Sequence, residues 1–195
     1  LKFIAYTHGF ENGLKTDNQF QFLNKLNQWG FKTNPLNKLL SGIKNLIKNY
    51  LSIKNDFEIN YSAEPKIDGI SASLTYKKGE FYKGLSRGDG KEGEDITENL
   101  KTIQDIPKQI LFNDFPNEID IRGEVFIQNS DFKNLKDKFA NPRNAASGSL
   151  RQKNSDDTKK IPLKFIAYTH GFENGLKTDN QFEFLNKLNE WGFKT

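Results

Sequence analysis

Apolar and polar residues alternate with a period of two at two places in this chain. Ile70, Ala72, Leu74 and Tyr76 alternate with Ser71, Ser73 and Thr75. Further on, Ile121, Gly123, Val125 and Ile127 alternate with Asp120, Arg122, Glu124 and Phe126. Both runs read as strands with one face buried. Lys77-Lys78-Gly79 turns the first run into a partner strand over 80–86, a hairpin signal, and the second run predicts a strand over 119–127. A short strand is predicted over 3–7. Helical spacing follows from Asp17, where Phe22, Leu26 and Trp29 share a face before Gly30 ends the pattern. Pro35 suits a first helical position. After it, Leu36, Leu39, Leu40, Ile43, Leu46, Ile47 and Tyr50 form an apolar stripe that reads as core packing. Shorter helices are predicted over 94–103 and about 131–138. Hairpins mixed with separate helices predict an α+β fold with mainly antiparallel sheets.

The same pattern appears twice. Residues 1–33 recur as residues 163–195, differing only at Gln21 against Glu183 and Gln28 against Glu190. The spacing far exceeds the 20–50 residues of stacked repeats, so a solenoid is not implied. The expected division is a duplicated tail segment over 1–52 and a partial domain over 53–195.

Composition narrows the class. The 195 residues suffice for one domain with a sizeable core. A mean hydropathy of −0.75 and 28% charged residues predict a soluble protein. No apolar run approaches the roughly 18 residues that span a membrane, and no signal peptide is apparent. The chain has no cysteine, which excludes disulfides and thiolate metal sites and fits a reducing, cytoplasmic setting. A formal charge of +4 is compatible with a polyanionic partner without requiring one. The chain also has no methionine, which predicts a fragment or a processed product.

Candidate chemistry begins at Glu64-Pro65-Lys66-Ile67-Asp68-Gly69. An isolated lysine, with a pKa of about 10.4, is protonated at neutral pH and is a poor nucleophile. Burial or neighbouring positive charge is what frees its amine. Asp68 opposes this by stabilising the ammonium, and Gly69 lets the backbone approach a bulky ligand. A solvated Lys-Asp turn before a strand is the alternative reading of this stretch taken alone.

The stretch resembles the Lys-x-Asp-Gly motif of covalent nucleotidyltransferases. The segment from Ser86 to Asn99, the strand Ile121-Arg122-Gly123-Glu124-Val125-Phe126 and the segment from Phe139 to Gln152 resemble, in the same order and spacing, blocks of bacterial NAD-dependent DNA ligases. The resemblance covers roughly residues 57–195. It implies the nucleotidyltransferase fold of the ligase adenylation domain, here incomplete. It also implies NAD as AMP donor, magnesium, nicked double-stranded DNA as partner, and a role in DNA replication and repair. Lys66 would be the catalytic nucleophile. Glu64 would help bind the adenine end, with Asp68 and Gly69 beside the lysine. Arg87 and Glu124 would bind the ribose, and Tyr168, whose duplicate is Tyr6, would stack on adenine. Arg143 and Arg151 would contact DNA or phosphate. No metal-ligating residues are assigned, and a monomer without membrane contact is expected.

Other readings of the same residues carry less. Gly88-Asp89-Gly90-Lys91-Glu92-Gly93 fits G-x-G-x-x-G, but Asp89 and Glu92 would face a pyrophosphate with negative charge and no parallel βαβ unit surrounds them. His8 and His170, one per copy, make no metal site. Two later lysine-bearing strands of the family and its zinc finger are missing from this sequence. An inactive nucleotide- or DNA-binding remnant is therefore the alternative function, and an ATP-dependent or RNA-type relative a third.

Overall fold

The computed structural model describes residues 3–6, 34–52, 62–87 and 93–195. Two units separate by their internal contacts: residues 1–66 with 180–182, and residues 67–179 with 183–195. In the first unit, β1 (Phe3–Tyr6) pairs antiparallel with β2 (Ser62–Pro65), Ile4 opposite Glu64. The helix α1 (Asn34–Tyr50) belongs to the same unit. The helix predicted from Asp17, and the glycine-rich run 88–92, lie outside the described residues.

The stripe of α1 departs from its reading as core. Leu40 is fully buried and Ile43 and Ile47 are half-buried, but Leu46 and Tyr50 are 70% and 88% exposed. A 3.6-residue apolar period states which face calls for cover. It does not supply the cover.

The second unit is built on a four-stranded antiparallel sheet in the order β4-β3-β5-β6. Its strands are β3 (Ile70–Lys77), β4 (Glu80–Ser86), β5 (Glu118–Ile127) and β6 (Leu163–Asn174). The predicted hairpin closes through Lys78 and Gly79, at φ of 50° and 80°. Positive φ at both central residues gives a twist that suits a two-residue hairpin. Short helices α2 (Thr97–Leu100), α3 (Asn129–Phe132), α4 (Pro142–Leu150) and α5 (Ser155–Lys159) connect the strands, and α6 (Gln181–Glu190) follows β6. The predicted 94–103 helix is thus reduced to one turn. Beyond it Thr102 N donates to Asn99 O and Ile103 N to Leu100 O, which are i,i+3 turns.

The strand alternation becomes two faces. Leu74, Tyr76, Ile119, Ile121, Val125, Phe165 and Ala167 point into a core completed by Phe184, Leu188, Trp191 and Phe193. Each fully buried side chain of this size contributes about 1.5–3 kcal/mol. Tyr76 lies edge-on to Phe115 and Phe193, and its hydroxyl donates to Pro107 O at 2.5 Å, so burial costs no lost hydrogen bond. Burial also pushes its phenol pKa upward. The opposite face of the sheet stays polar. Among the described residues no helix is long and apolar enough to cross a membrane.

Candidate functional site

The polar face of the second unit's sheet carries a cleft of about 580 Å³, within the usual range for a small ligand. Ser71, Arg87, Asp120, Arg122, Tyr168 and Thr169 are among its lining residues. Ser71, Arg87, Asp120 and Arg122 reach the cleft by strand periodicity. Ser71 is cross-strand from Glu124 in the β3–β5 register, so both side chains project on the same face. Arg87 follows Ser86, the last paired residue of β4, opposite Ala72. The next position brings its exposed side chain to the row containing Ser71 and Glu124.

Tyr168 arrives by a different device. The β5–β6 register jumps from Gly123↔Ala167 to Arg122↔Thr169, leaving Tyr168 as an extra residue. Such a bulge turns neighbouring side chains toward one face, and Tyr168 and Thr169 both line the cleft. The approach of β6 depends on Gly123. A Cβ there would sit 2.2 Å from the Phe165 ring and 2.4 Å from Ile166 O.

Hydrogen bonds then join the row. Ser71 Oγ donates to Glu124 Oε2 at 2.9 Å and lies 3.4 Å from the Tyr168 hydroxyl. Thr75 Oγ1 donates to Asp120 Oδ1 at 2.6 Å and fixes that carboxylate at the cleft wall. Gly69 presses the chain ahead of β3 against β5, where a Cβ would lie 2.2 Å from Val125 O and 2.9 Å from Glu124 Cγ. The space the glycine leaves is filled by the protein's own strand, next to Glu124.

The remaining predicted residues sit elsewhere. Asp68 is exposed and pairs with Arg143 at 3.3 Å. Arg143 stands in the first turn of α4, where Pro142 opens the helix and the Asn141 side chain accepts from Asn144 N at 2.7 Å. Arg151 is at the other end, at the C-cap, paired with Glu94 at 2.7 Å. Eight residues of helix separate the two arginines by about 12 Å. They hold different carboxylates and do not form one cluster. Glu64 and Lys66 belong to the first unit. Glu64 is buried and accepts from Gln181 Nε2 at 3.1 Å, whereas Lys66 is exposed. His170 stacks edge-on to Phe184 with ring centroids 4.8 Å apart.

Ser71, Asp120, Arg122 and Thr169 were not singled out by sequence. The signal available was the alternation that sets Ser71 and Arg122 on polar positions of their strands. Which polar positions share a cleft depends on the pairing of β3 with β5 and β6, and that is not local information.

A family model for the NAD-dependent DNA ligase adenylation domain matches residues 51–195. Among curated proteins, the chain is 67% identical over 156 residues to the DNA ligase of Pelagibacter ubique, covering 80% of this chain and 23% of that protein. It is 45% identical over 155 residues to the DNA ligase of Parvibaculum lavamentivorans, covering 75% of this chain and 22% of that protein. Against the DNA ligase of Pelobacter propionicus it is 45% identical over 169 residues, covering 82% and 23%. The chain spans less than a quarter of the length of these relatives.

Proposed function

The chain belongs to the NAD-dependent DNA ligase adenylation domain family, and from that premise we propose that it takes AMP from NAD onto Lys66. The Lys66 amine attacks the α-phosphorus of NAD. A P–N bond forms, the P–O bond to the nicotinamide mononucleotide breaks, that mononucleotide leaves, and the amine gives up a proton. The product is a lysine–AMP phosphoramide, labile enough to pass its adenylate onward. In the full reading the adenylate moves to the 5′-phosphate at a nick in double-stranded DNA, and a 3′-hydroxyl then displaces AMP. This would serve replication and repair, by a monomer in the cytoplasm.

The observation that carries this reading is that Arg87, Ser71 and Tyr168 line a cleft of nucleotide size, with Glu124 hydrogen-bonded to Ser71. A guanidinium that donates and a carboxylate that accepts suit the oxygens and hydroxyls of a ribose, and an aromatic ring suits a base. The protein's part is positioning and charge neutralisation. We read the antiparallel sheet as part of the nucleotidyltransferase fold, with Arg143 and Arg151 as phosphate or DNA contacts. Magnesium would offset repulsion between phosphate oxygens. Among the described residues no group of three or more His, Asp or Glu side chains could hold it.

The inactive-remnant reading draws on one observation, the exposure of Lys66. Incubating the chain with labelled NAD or ATP and magnesium, then mapping peptides from a denaturing gel, separates the two. Label on Lys66 from NAD is the expected result. Label from ATP alone would move the chain to another branch of the ligases, and none would favour the remnant. Lys66→Ala should abolish labelling and Lys91→Ala should not.

A further inference from the structure

Resting on the nucleotide reading of the cleft, we infer that Ser71 is a specificity-determining residue that sets how Glu124 recognises a ribose. The geometry fixes the direction of a short hydrogen-bond chain. Ser71 Oγ is 2.9 Å from Glu124 Oε2 and 3.4 Å from the Tyr168 hydroxyl. An ionised carboxylate only accepts, and a serine hydroxyl has a single proton to give. That proton goes to Glu124. Any hydrogen bond across the longer 3.4 Å contact is then given by Tyr168, and the chain would run from Tyr168 through Ser71 to Glu124.

Such a chain does two things to a binding face. It holds one carboxylate oxygen of Glu124, so the plane of the carboxylate is set before a ligand arrives. It also ties the tilt of the Tyr168 ring to that plane. The three residues stand on β3, β5 and β6, with Ser71 directly opposite Glu124, so the spacing is held by backbone pairing. A carboxylate held in place meets both hydroxyls of a diol without an ordering cost, and preorganisation of this kind appears as affinity. With alanine at position 71 the carboxylate loses that donor, and selectivity for the diol should fall before general affinity does.

The test is calorimetric titration of the full chain with AMP and with 2′-deoxy-AMP. A hydrogen bond to a charged group supports a preference for AMP of about tenfold or more in the unmodified chain. Ser71→Ala should shrink that ratio to about threefold or less, and Ser71→Thr, which keeps the hydroxyl, should restore it. An unchanged ratio in Ser71→Ala overturns the inference. So does an equal loss of affinity for both nucleotides, the mark of a purely structural role. Should Ser71→Ala not fold, Tyr168→Phe decides: it removes only the donor hydroxyl, and a smaller ratio supports the chain while an unchanged one overturns it. No preference in the unmodified chain would mean that the ribose reading of the cleft itself is wrong, and the inference goes with it.

Discussion

Asp95 is exposed, yet its carboxyl sits below the usual carboxylate range. Hydrogen bonds from Thr97 are the main cause: the hydroxyl donates to Asp95 Oδ1 at 2.6 Å and the backbone N–H at 3.1 Å. With its proton committed there, Thr97 Oγ1 accepts from Gly84 N at 2.8 Å, which fastens α2 to β4. Next door, Ser86 N donates to Glu94 O at 3.0 Å and Glu94 N to Ser86 Oγ at 3.1 Å. These contacts anchor the end of β4 from which Arg87 leaves. Because the folded pKa of Asp95 is lowered, the linked stability is present above its unfolded value. It disappears as pH falls through the folded one. Solvent screening keeps the effect small. An NMR titration should place the Asp95 midpoint below the ordinary value of about 3.9, with Thr97→Val moving it back up. An ordinary midpoint in the unmodified chain would sink this account.

Among the elements, β5 does the most to assemble the cleft, because it touches both β3 and β6 and carries Glu124 beside Gly123. Gly123→Ala would drive a Cβ into the Phe165 ring and Ile166 O. A ring can shift slightly, but a backbone oxygen in a ladder cannot. Overpacking of this kind costs about 1–3 kcal/mol, so the denaturation midpoint should fall at unchanged slope, and an unchanged midpoint would show that β6 can retreat. The hairpin and β5 were legible in the sequence because a period of two, and a turn able to take positive φ, are local properties. The strand order β4-β3-β5-β6 was not legible, nor was the bulge that turns Tyr168 to the cleft, since β5 pairs with β3 and β6 across separations that run from 36 residues (Ile127↔Leu163) to 56 (Glu118↔Asn174). Glu124 and Arg87 could be proposed from motif alone, whereas Ser71 emerged only once Glu124 stood opposite it. The stripe of α1 misled for the same reason: Leu46 and Tyr50 have the spacing of core residues and stay exposed.

At the scale of the whole molecule, one segment exists twice, and its strand has a different partner in each copy: β1 pairs with β2 and β6 with β5. Phe165, Ala167, Phe184, Leu185, Leu188, Trp191 and Phe193 of the second copy are buried in the core beside β5. Their counterparts in the first copy, Phe3, Ala5, Phe22, Leu23, Leu26, Trp29 and Phe31, are the same residue types, yet β1 pairs with β2. The two differing positions are peripheral. Glu183 Oε2 accepts from Asp179 N at 2.9 Å, and Glu190 pairs with Lys187 at 2.8 Å, so glutamine at these positions removes a surface charge and no core contact. The 28 residues 34–61 between Thr33 and β2 give the first copy a reach of several tens of ångströms. We predict that a chain cut after Pro162 still unfolds cooperatively, at a somewhat lower midpoint, with its first copy seated beside β5. A chain of residues 34–162, which has neither copy, should lose the transition, because the core is then short of all seven side chains. If the 1–162 chain melts no more cooperatively than the 34–162 chain, the two copies are not exchangeable, and the surroundings of each, not its sequence, decide where it goes.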